Sequence, residues 1–515
     1  MGMIENHSQS LHFFGAAEYD RNEHVSWREG HPVGKGVNDM ACTTILVGKA
    51  ASLDGAPLIA RNEDGHKEPN PQRFVVVRPE DQPRVYPTFR GGVEIELPDD
   101  PLRYTSTPNA DYIKQGLFSG SGINSANVAM TATETITSNP RVLAADPYVD
   151  ASIGEADILT LVLPYIRTAK EGVLRMGALL ERYGTYEPNG MAFSDADEIW
   201  YMETYGGHHW AAIRIPDDTY VVAPNRLNID DFDFDSPDVL YAEGLSDLIT
   251  TYRLNPDMDR LNLRHTLGSS TVKDTVYNNA RVWYIQKQLS DTSRPYNERY
   301  PFVDDPNCHE LPFICYPKRK LSIEDVKWAL SSHFENTPFD VYGAGTEAQR
   351  KRYRAVGLNR NMESHILQIR PDKPAAIAGV HWLALASNAY NCMVPFYANV
   401  DDTPVSWRDT PIAYDPNYMY WIVQTMAVIG DRDYAVYGEL VANFEKEMMT
   451  TLRRMQLLTD ARIESGAVDD SRMTAELGAA NEEMAQTIFK ATVGLLGRFV
   501  TVGSTKMDLQ YTLAD

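Results

Sequence analysis

Runs of apolar and β-branched residues predict a series of buried strands that begins at position 42. The first run covers residues 42–47, and turn residues at 48–55 separate it from a second run at 57–62. A third run lies at 74–78. β-branched side chains fit the pleated surface of a sheet, and two such runs joined by a turn that contains Asp and Gly are typical of a hairpin.

The rest of the pattern mixes strands and helices without strict alternation. Further strands are predicted at 127–137, 190–194, 198–203, 209–215 and 220–223, and another set of strands is predicted within 364–396. Helical spacing marks residues 156–183, with an interruption at Pro164 and a stop at Gly184. Residues 235–335 are interpreted as a mainly helical insertion, and three apolar stripes after residue 418 predict core-facing helices. The fold class is therefore α+β, with a helical C-terminal part.

The front of the chain differs in character from the remainder. Residues 1–41 are polar, carry scattered charges and lack the apolar centre of a secretory signal. They are interpreted either as a propeptide or as an upstream extension, because Met40 could itself be the first residue. A single domain is expected over 42–515, with 235–335 inserted into it.

Composition and charge narrow the choice of partners. The formal net charge of −23 repels phosphate backbones, so nucleic acid is not expected as a partner. Four cysteines in 515 residues are too few for a disulfide framework. The sequence contains no run of 18 apolar residues, so no membrane span is predicted. We therefore expect a cytoplasmic protein that does not bind membranes, and a homo-oligomer is one option.

Cys42 is the candidate nucleophile. The sequence has no Gly-x-Ser-x-Gly, phosphate-loop, dinucleotide-binding or His-Glu-x-x-His motif. A thiol becomes a useful nucleophile only when a base can take its proton. If the chain is cut before Cys42, the new α-amine, whose usual pKa is near 8, can act as that base. The alternative is that Cys42 is only a small buried apolar residue.

The predicted hairpin places two charged residues near Cys42. With the turn centred between residues 51 and 52, Arg61 falls opposite Cys42, although the register could differ by a few residues. A guanidinium there would stabilise the thiolate. Asp64 lies three residues further on and could orient the terminal amine.

Several blocks of this sequence resemble the dipeptidase A family of N-terminal-nucleophile (Ntn) hydrolases. The start Cys-Thr-Thr-Ile-Leu-Val-Gly at 42–48 and the block Ala-Arg-Asn-Glu-Asp-Gly at 60–65 are similar to the beginning of the mature enzymes. Later blocks at 122–135, 198–203, 206–210 and 222–226 also resemble that family. The wider group includes penicillin V acylases and bile salt hydrolases, which share a Cys followed by Arg-Asn-x-Asp.

The resemblance implies a four-layer αββα sandwich and hydrolysis of dipeptides of broad specificity without metal or cofactor. It assigns Cys42 as the nucleophile and Arg61 and Asp64 as residues that line it. Asn225, in the block Val-Ala-Pro-Asn-Arg, is similar in context to an oxyanion-hole asparagine.

The block at 122–135 also supplies the candidate substrate-binding residues Thr133 and Glu134. The acylase relatives tend to carry Asn where this chain carries Glu134. A carboxylate there would suit the free ammonium of a dipeptide, whereas the alternative is that Glu134 pairs with a structural arginine.

Two other functions stay open at this point. One is an amidase or acylase that acts on non-peptide amides, such as bile conjugates or penicillin V. The other is a non-catalytic protein that keeps the fold, as the related secernins do. Cys42 and Arg61 argue against the second, whereas a front segment that is never removed would favour it.

Overall fold

The structure, a computed structural model, describes residues 42–65 and 68–507, and within them the side chains of 133–135 are not described. The predictions made for residues 1–41 lie outside this part of the chain. Strands within it form two large antiparallel sheets and two small ones. In chain order they are β1 Thr43–Val47, β2 Leu58–Asp64, β3 Val75–Val77, β4 Val85–Pro87, β5 Glu94–Glu96, β6 Tyr104–Ser106, β7 Ser121–Ile123, β8 Ala129–Thr135, β9 Asn189–Ser194, β10 Ile199–Tyr205, β11 His209–Ile215, β12 Tyr220–Pro224, β13 Val239–Tyr241, β14 Ser290–Pro295, β15 Ile314–Pro317, β16 Asn361–Ile369, β17 Gly379–Leu385 and β18 Val394–Tyr397.

The first large sheet has eight strands in the order β14-β15-β12-β1-β2-β16-β17-β18. The second has six strands in the order β13-β11-β10-β9-β8-β7. Strands β3 and β6 form one small ribbon, and β4 and β5 form the other. Strand β1 therefore lies in the middle of the larger sheet, between β12 and β2.

The longer helices of the described chain pack against the two large sheets. In chain order the helices are α1 Tyr112–Gln115, α2 Pro140–Ala145, α3 Glu155–Val162, α4 Ala169–Tyr183, α5 Leu245–Thr251, α6 Leu263–Leu267, α7 Val272–Asp274, α8 Ala280–Leu289, α9 Ile323–Ser331, α10 Glu347–Arg350, α11 Ala375–Ala378, α12 Val405–Arg408, α13 Met419–Gly430, α14 Tyr434–Glu464 and α15 Met473–Ser504. A π-helical segment, Thr275–Asn279, joins α7 to α8.

Two apolar cores account for the layered arrangement. One core lies between the sheets, where Leu46 and Ile59 meet residues of β8–β11, and it continues around α3 and α4. The other lies beneath the larger sheet, where Ile45 and Ala60 pack with α8, α9 and α13–α15. Alternate residues of one strand thus face different cores. The predicted αββα sandwich with a helical C-terminal part is confirmed.

Local sequence signals mark several element boundaries correctly. Pro164 falls after the end of α3, and Gly184 follows α4 with a φ of +75°, a conformation that glycine adopts without strain. The predicted apolar stripe at the C-terminus is also buried, as shown by Leu477, Met484 and Leu495 of α15. No helix in the described part of the chain is long and apolar enough to cross a bilayer.

The hairpin register differs from the expected one by two residues. Arg61 lies opposite Thr44 rather than opposite Cys42. The connection is not a free turn, because Ala50 N donates to Asp217 O and Leu53 N donates to Leu321 O. Distant segments therefore set its centre. A shift of two residues keeps Arg61 on the same face of the sheet as Cys42.

Residues 235–335 are less helical than expected. They contain α5–α9, but they also contribute β13 to the smaller sheet and β14 and β15 to the edge of the larger one. The polar sequence of β14, Ser-Asp-Thr-Ser-Arg-Pro, has no apolar alternation that would predict a strand. This region therefore contributes strands to both large sheets.

Candidate active site

Cys42 lies immediately before β1 and is fully buried. The flanking strands β2 and β12 bring the other residues of the site to it. Arg61 Nη1 donates a hydrogen bond to Cys42 Sγ over 3.2 Å. All four cysteines are free thiols. Among the described hydrogen bonds, Cys42 is the cysteine whose sulfur accepts from a guanidinium. The predicted proximity of Arg61 to Cys42 is confirmed.

Arg61 is held rigidly by the neighbouring sheet. Its Nε donates to Thr131 Oγ1 at 3.0 Å, and its Nη2 donates to Gly120 O at 3.0 Å and Ala132 O at 2.8 Å. Nη2 also forms an ion pair with Glu63. Burial alone would lower the pKa of the guanidinium, but Glu63, Cys42 and other acidic groups raise it above its usual range. Arg61 therefore carries a fixed positive charge beside the sulfur.

Asp64 is also buried, at the end of β2. Its carboxylate accepts hydrogen bonds from Arg354 Nη2 and Asn361 Nδ2. Burial raises the pKa of Asp64 in spite of the nearby charges of Arg354 and Arg281. The carboxylate of Asp64 therefore lies near Arg281, and Arg281 in turn donates a hydrogen bond to the backbone oxygen of Cys42. The predicted role of Asp64 toward the terminal amine stays a prediction.

Asn225 follows β12 directly, and the pairing of Thr43 with Pro224 places it level with Cys42 in the sheet. Its Oδ1 accepts a hydrogen bond from Arg281 Nη2 at 2.9 Å. An amide whose oxygen faces a guanidinium must turn its NH₂ group elsewhere. This contact fixes which way the amide of Asn225 faces, and its predicted oxyanion-hole role stays a prediction.

Arg281 is a site residue that the sequence analysis missed. It lies in α8 and is fully buried. Its Nη1 donates to Cys42 O and to Thr43 Oγ1, the latter at 2.7 Å, and its Nη2 also donates to Asn278 Oδ1 at 2.8 Å. One guanidinium therefore ties the backbone of the nucleophile to Asn225. The sequence carries no signal for this role, because arginine is common on exposed helix faces.

Two carboxylates lie close to the sulfur. Single ligand atoms of Cys42, Glu63 and Glu155 all fall within 4.8 Å of one another. Among the described residues this is the group whose spacing could hold a metal ion. The guanidinium of Arg61 lies 3.2 Å from the same sulfur and opposes a cation there. We therefore assign no metal to this group.

A second layer of polar groups lies behind Arg61. His365 Nε2 is 2.8 Å from Thr131 Oγ1, and His365 Nδ1 is 2.8 Å from Glu363 Oε1. Both residues come from β16, the strand that pairs with β2. The sequence analysis did not identify either of them, since some 300 residues separate them from Arg61.

Thr133 and Glu134 lie in β8, in which Glu134 pairs with Gly190 and the register is irregular between Ala132 and Glu134. The side chains of both residues are outside the described part of the structure. Their backbone continues from Ala132, whose carbonyl oxygen contacts Arg61. The predicted substrate-binding roles of Thr133 and Glu134 stay predictions.

Comparison with known proteins shows the family to which this chain belongs. The model of a family described as peptidase family C69 matches residues 41–447. Probable dipeptidase B of Lactococcus lactis subsp. lactis (strain IL1403) is 52% identical over 480 residues, which cover 92% of this chain and 98% of that protein. Dipeptidase A of Lactobacillus helveticus is 50% identical over 482 residues, which cover 92% of this chain and 99% of that protein.

A dipeptidase of Bifidobacterium longum (strain NCC 2705) is 44% identical over 474 residues, which cover 87% of this chain and 88% of that protein. A solved structure of a mutant conjugated bile acid hydrolase from Clostridium perfringens has a TM-score of 0.27 and 9% identity, and it covers 70% of this chain and 92% of that one. The αββα fold is established by the strands and helices of this chain and does not depend on that likeness.

The family match and the relatives define the class of protein: the chain is a peptidase. It belongs to peptidase family C69.

Proposed function

We propose that this peptidase hydrolyses dipeptides of broad specificity, with Cys42 as its nucleophile after residues 1–41 have been removed. The relatives named as dipeptidases match most of this chain and support the substrate class. The hydrogen bond from Arg61 Nη1 to Cys42 Sγ is the observation that carries the assignment of the nucleophile. A fixed positive charge at 3.2 Å favours the thiolate over the thiol.

The proton of the thiol is taken by the amine of the same residue. Removal of Ala41 leaves the α-nitrogen of Cys42 as a free amine, whose usual pKa near 8 gives a substantial neutral fraction at neutral pH. The sulfur then attacks the carbonyl carbon of the scissile peptide bond, and the carbonyl oxygen becomes an oxyanion. The protonated amine returns its proton to the leaving nitrogen, which departs as a free amino acid.

The remaining thioester is opened by water. The neutral amine of Cys42 takes a proton from the attacking water, the C–S bond breaks, and the sulfur regains a proton. Asn225, whose Oδ1 is held by Arg281, can donate from Nδ2 to the oxyanion in both steps. Asp64 is proposed to orient the terminal amine. No metal or cofactor takes part in this scheme.

Thr133 and Glu134 are proposed to bind the substrate, with Glu134 as the partner of its free ammonium. A carboxylate that pairs with this ammonium would distinguish dipeptides from N-acylated amides. Glu134→Gln should therefore raise KM for free-amine dipeptides far more than for the matching N-acetyl dipeptides. An equal rise for both substrates would contradict the role of Glu134.

A direct assay tests the proposed substrate class. Purified enzyme should release free amino acids from unblocked dipeptides and act at least about a hundredfold more slowly on N-acyl amides of the penicillin V or bile conjugate type, because they lack the ammonium. The Cys42→Ala variant is the control and should be inactive on both. Preference for the N-acyl amides would instead identify an acylase.

The domain organisation and setting of the enzyme follow from the same proposal. We infer that residues 42–515 form the mature hydrolase as one domain, of which 235–335 is a part that contributes strands as well as helices. We also infer a cytoplasmic protein, because all four thiols are free and a thiolate nucleophile is preserved under reducing conditions. A homo-oligomer is proposed on general grounds, and light scattering of the purified enzyme would test it.

A further inference from the structure

Two buried glutamates lie side by side behind the nucleophile, and the proposed mechanism uses neither. Glu63 of β2 and Glu363 of β16 are directly opposite each other in the sheet, and both are almost completely inaccessible to solvent. Opposed residues on neighbouring strands have Cβ atoms about 5 Å apart. Two carboxylate charges at that distance, without water, repel strongly.

The space between them is tightly filled. A Cβ atom on Gly120 would lie 2.6 Å from Glu63 Oε2, 2.7 Å from Arg61 Nη2 and 3.1 Å from Glu363 Oε1. The two carboxyl groups and the guanidinium therefore converge on one point of the backbone. Because Arg61 forms its ion pair with Glu63, the positive charge at this point is already engaged by one of the two acids.

Glu363 has hydrogen-bond partners that suit a neutral acid. Its Oε1 contacts His365 Nδ1, whereas its Oε2 is buried and accepts no hydrogen bond from any described residue. An ionised, buried carboxylate with an oxygen that lacks a donor is costly, whereas in the neutral acid the proton can lie on Oε1 toward His365 Nδ1 and Oε2 is an uncharged carbonyl oxygen. Burial raises the pKa of both Glu363 and Glu63 to about 8, and the ion pair between Glu63 and Arg61 assigns the negative charge to Glu63.

A hydrogen-bond chain runs from Arg61 through Thr131 and His365 to Glu363. The hydroxyl oxygen of Thr131 accepts from Arg61 Nε and has a second lone pair for an Nε2 proton of His365. With its proton on Nε2, the neutral imidazole accepts at Nδ1 the acid proton of Glu363 Oε1. Burial and the charge of Arg61 lower the pKa of His365 well below its usual value, so the imidazole is neutral.

We propose that Glu363 is a positioning residue that is kept as the neutral acid at physiological pH, so that Arg61 directs its positive charge to the Cys42 thiolate. This inference rests on the proposed function of Cys42 and adds a control of its ionisation. If Glu363 also ionised, Arg61 would be shared between two carboxylates and the sulfur, and the thiolate would lose part of its stabilisation. Glu363 thus acts on the sulfur through Arg61, without contact with the substrate.

Other ionisable groups face this cluster, and none of those described supplies a second positive charge to it at neutral pH. His381 of β17 hydrogen-bonds to Thr105 and Ser121, and burial lowers its pKa well below its usual value. Glu155 of α3 and Asp64 of β2 add negative charge. The groups that face the pair are Cys42, Arg61, Asp64, Glu155, His365 and His381.

The proposal predicts a loss of activity at alkaline pH. A group with a pKa of about 8 is neutral in roughly one molecule in ten at pH 9, so ionisation of Glu363 should lower kcat/KM of the wild-type enzyme by up to about tenfold at that pH. The Glu363→Gln variant keeps the shape of the acid and cannot ionise. Its kcat/KM at pH 7 should remain within about threefold of wild type, and its alkaline fall should be reduced to the part that comes from loss of the substrate ammonium, whose usual pKa is near 8.

Glu203→Gln provides a matched control. Glu203 is a fully buried acid on β10, held by Asn228 N at 2.5 Å and Tyr205 OH at 3.2 Å, and burial raises its pKa to about 7. It has no contact with Arg61 or Cys42 among the described interactions. Its replacement should leave the alkaline fall of wild type in place. A shift as large as that of Glu363→Gln would overturn the proposal.

A second variant tests the same role if Glu363→Gln fails to fold, and a second measurement tests it without any substrate. His365→Gln removes the imidazole nitrogen that faces Glu363 Oε1, so the acid form of Glu363 loses its acceptor and the alkaline fall should move to lower pH. The rate of alkylation of Cys42 by iodoacetamide reports the thiolate without any substrate. Above pH 8 the thiol of Glu363→Gln should react at least about threefold faster than that of wild type.

The outcomes separate this proposal from the proposed function. If dipeptides are not hydrolysed but the alkylation profiles differ as stated, the dipeptidase function fails and the role of Glu363 stands. If Glu363→Gln and His365→Gln keep the wild-type alkaline fall and alkylation profile, the role of Glu363 is wrong. A uniform loss of activity at every pH with unchanged profiles would show a purely structural role and would also overturn it.

Discussion

Replacement of Arg281 by lysine should show whether catalysis depends on the orientation of Asn225 or on the positive charge beside it. Arg281 contacts four acceptors: Cys42 O, Thr43 Oγ1, Asn225 Oδ1 and Asn278 Oδ1. A lysine ammonium has three donors on one atom and cannot reach acceptors that a planar guanidinium spans. The positive charge stays, but the clamp on Asn225 is lost.

The expected size of the effect follows from these contacts. If Asn225 no longer presents its Nδ2 to the oxyanion, the loss corresponds to one oxyanion-hole donor, which is worth about 10²–10³ in kcat. KM should change little, because the oxyanion forms only in the reaction. Stability should also fall, by about 1–3 kcal/mol for each buried acceptor that loses its donor.

A double-mutant cycle with Asn225→Ala provides the assay. We expect Asn225→Ala alone to lower kcat by about 10²–10³, and Arg281→Lys to add less than about fivefold in that background, because both changes remove the same donor. Arg214→Lys is the control, since Arg214 makes ion pairs at the surface with Glu198 and Asp238. It should leave kcat within about twofold of wild type.

Additive losses in the cycle would refute this reasoning. They would mean that Arg281 acts on catalysis independently of Asn225. Circular dichroism and thermal unfolding of each variant distinguish a catalytic loss from a folded fraction that has simply decreased.

Three further predictions concern stability, metal ions and pH. Trp382→Ala should lower the free energy of unfolding in urea by about 3–5 kcal/mol, because Trp382 is fully buried and its Nε1 donates a hydrogen bond to Gln368 Oε1 at 3.0 Å. Leu457→Ala is the control, since its side chain is 65% exposed, and it should change that free energy by less than about 0.5 kcal/mol. EDTA should leave activity unchanged, since the charge at the sulfur comes from Arg61; complete inactivation reversed by a divalent metal would contradict this. Burial raises the pKa of Glu203 to about 7 in the folded protein, above its unfolded value near 4.5, so its contribution to stability is fully present below pH 4.5 and is lost as the pH rises to about 7. Glu203→Gln should therefore flatten the fall in stability between pH 5 and 8, as measured by thermal unfolding, and an unchanged slope would argue against a neutral Glu203.

Much of the layered fold could be predicted from local patterns. The β-branched run at 42–47 and the C-terminal apolar stripes report directly on burial, because a strand alternates with a period of two and a helix with 3.6. The nearness of Arg61 to Cys42 followed from the hairpin alone. These features depend on residues that are close in sequence.

The features that could not be predicted depend on pairing over long distances. The register of β1 and β2 is set by contacts with Asp217 and Leu321, which no local turn rule contains. Arg281 and Glu363 reach the site because α8 packs beneath the larger sheet and β16 pairs with β2. Strand β14 was missed because an edge strand can be polar on both faces.

The intact mass of the purified, active enzyme shows whether Cys42 carries a free α-amine. We expect a single chain that begins at Cys42, together with a Cys42→Ala variant that is folded but has no measurable turnover. A fully active enzyme whose chain still extends upstream of Cys42, so that its α-nitrogen lies in a peptide bond, would show that the proposed base is wrong.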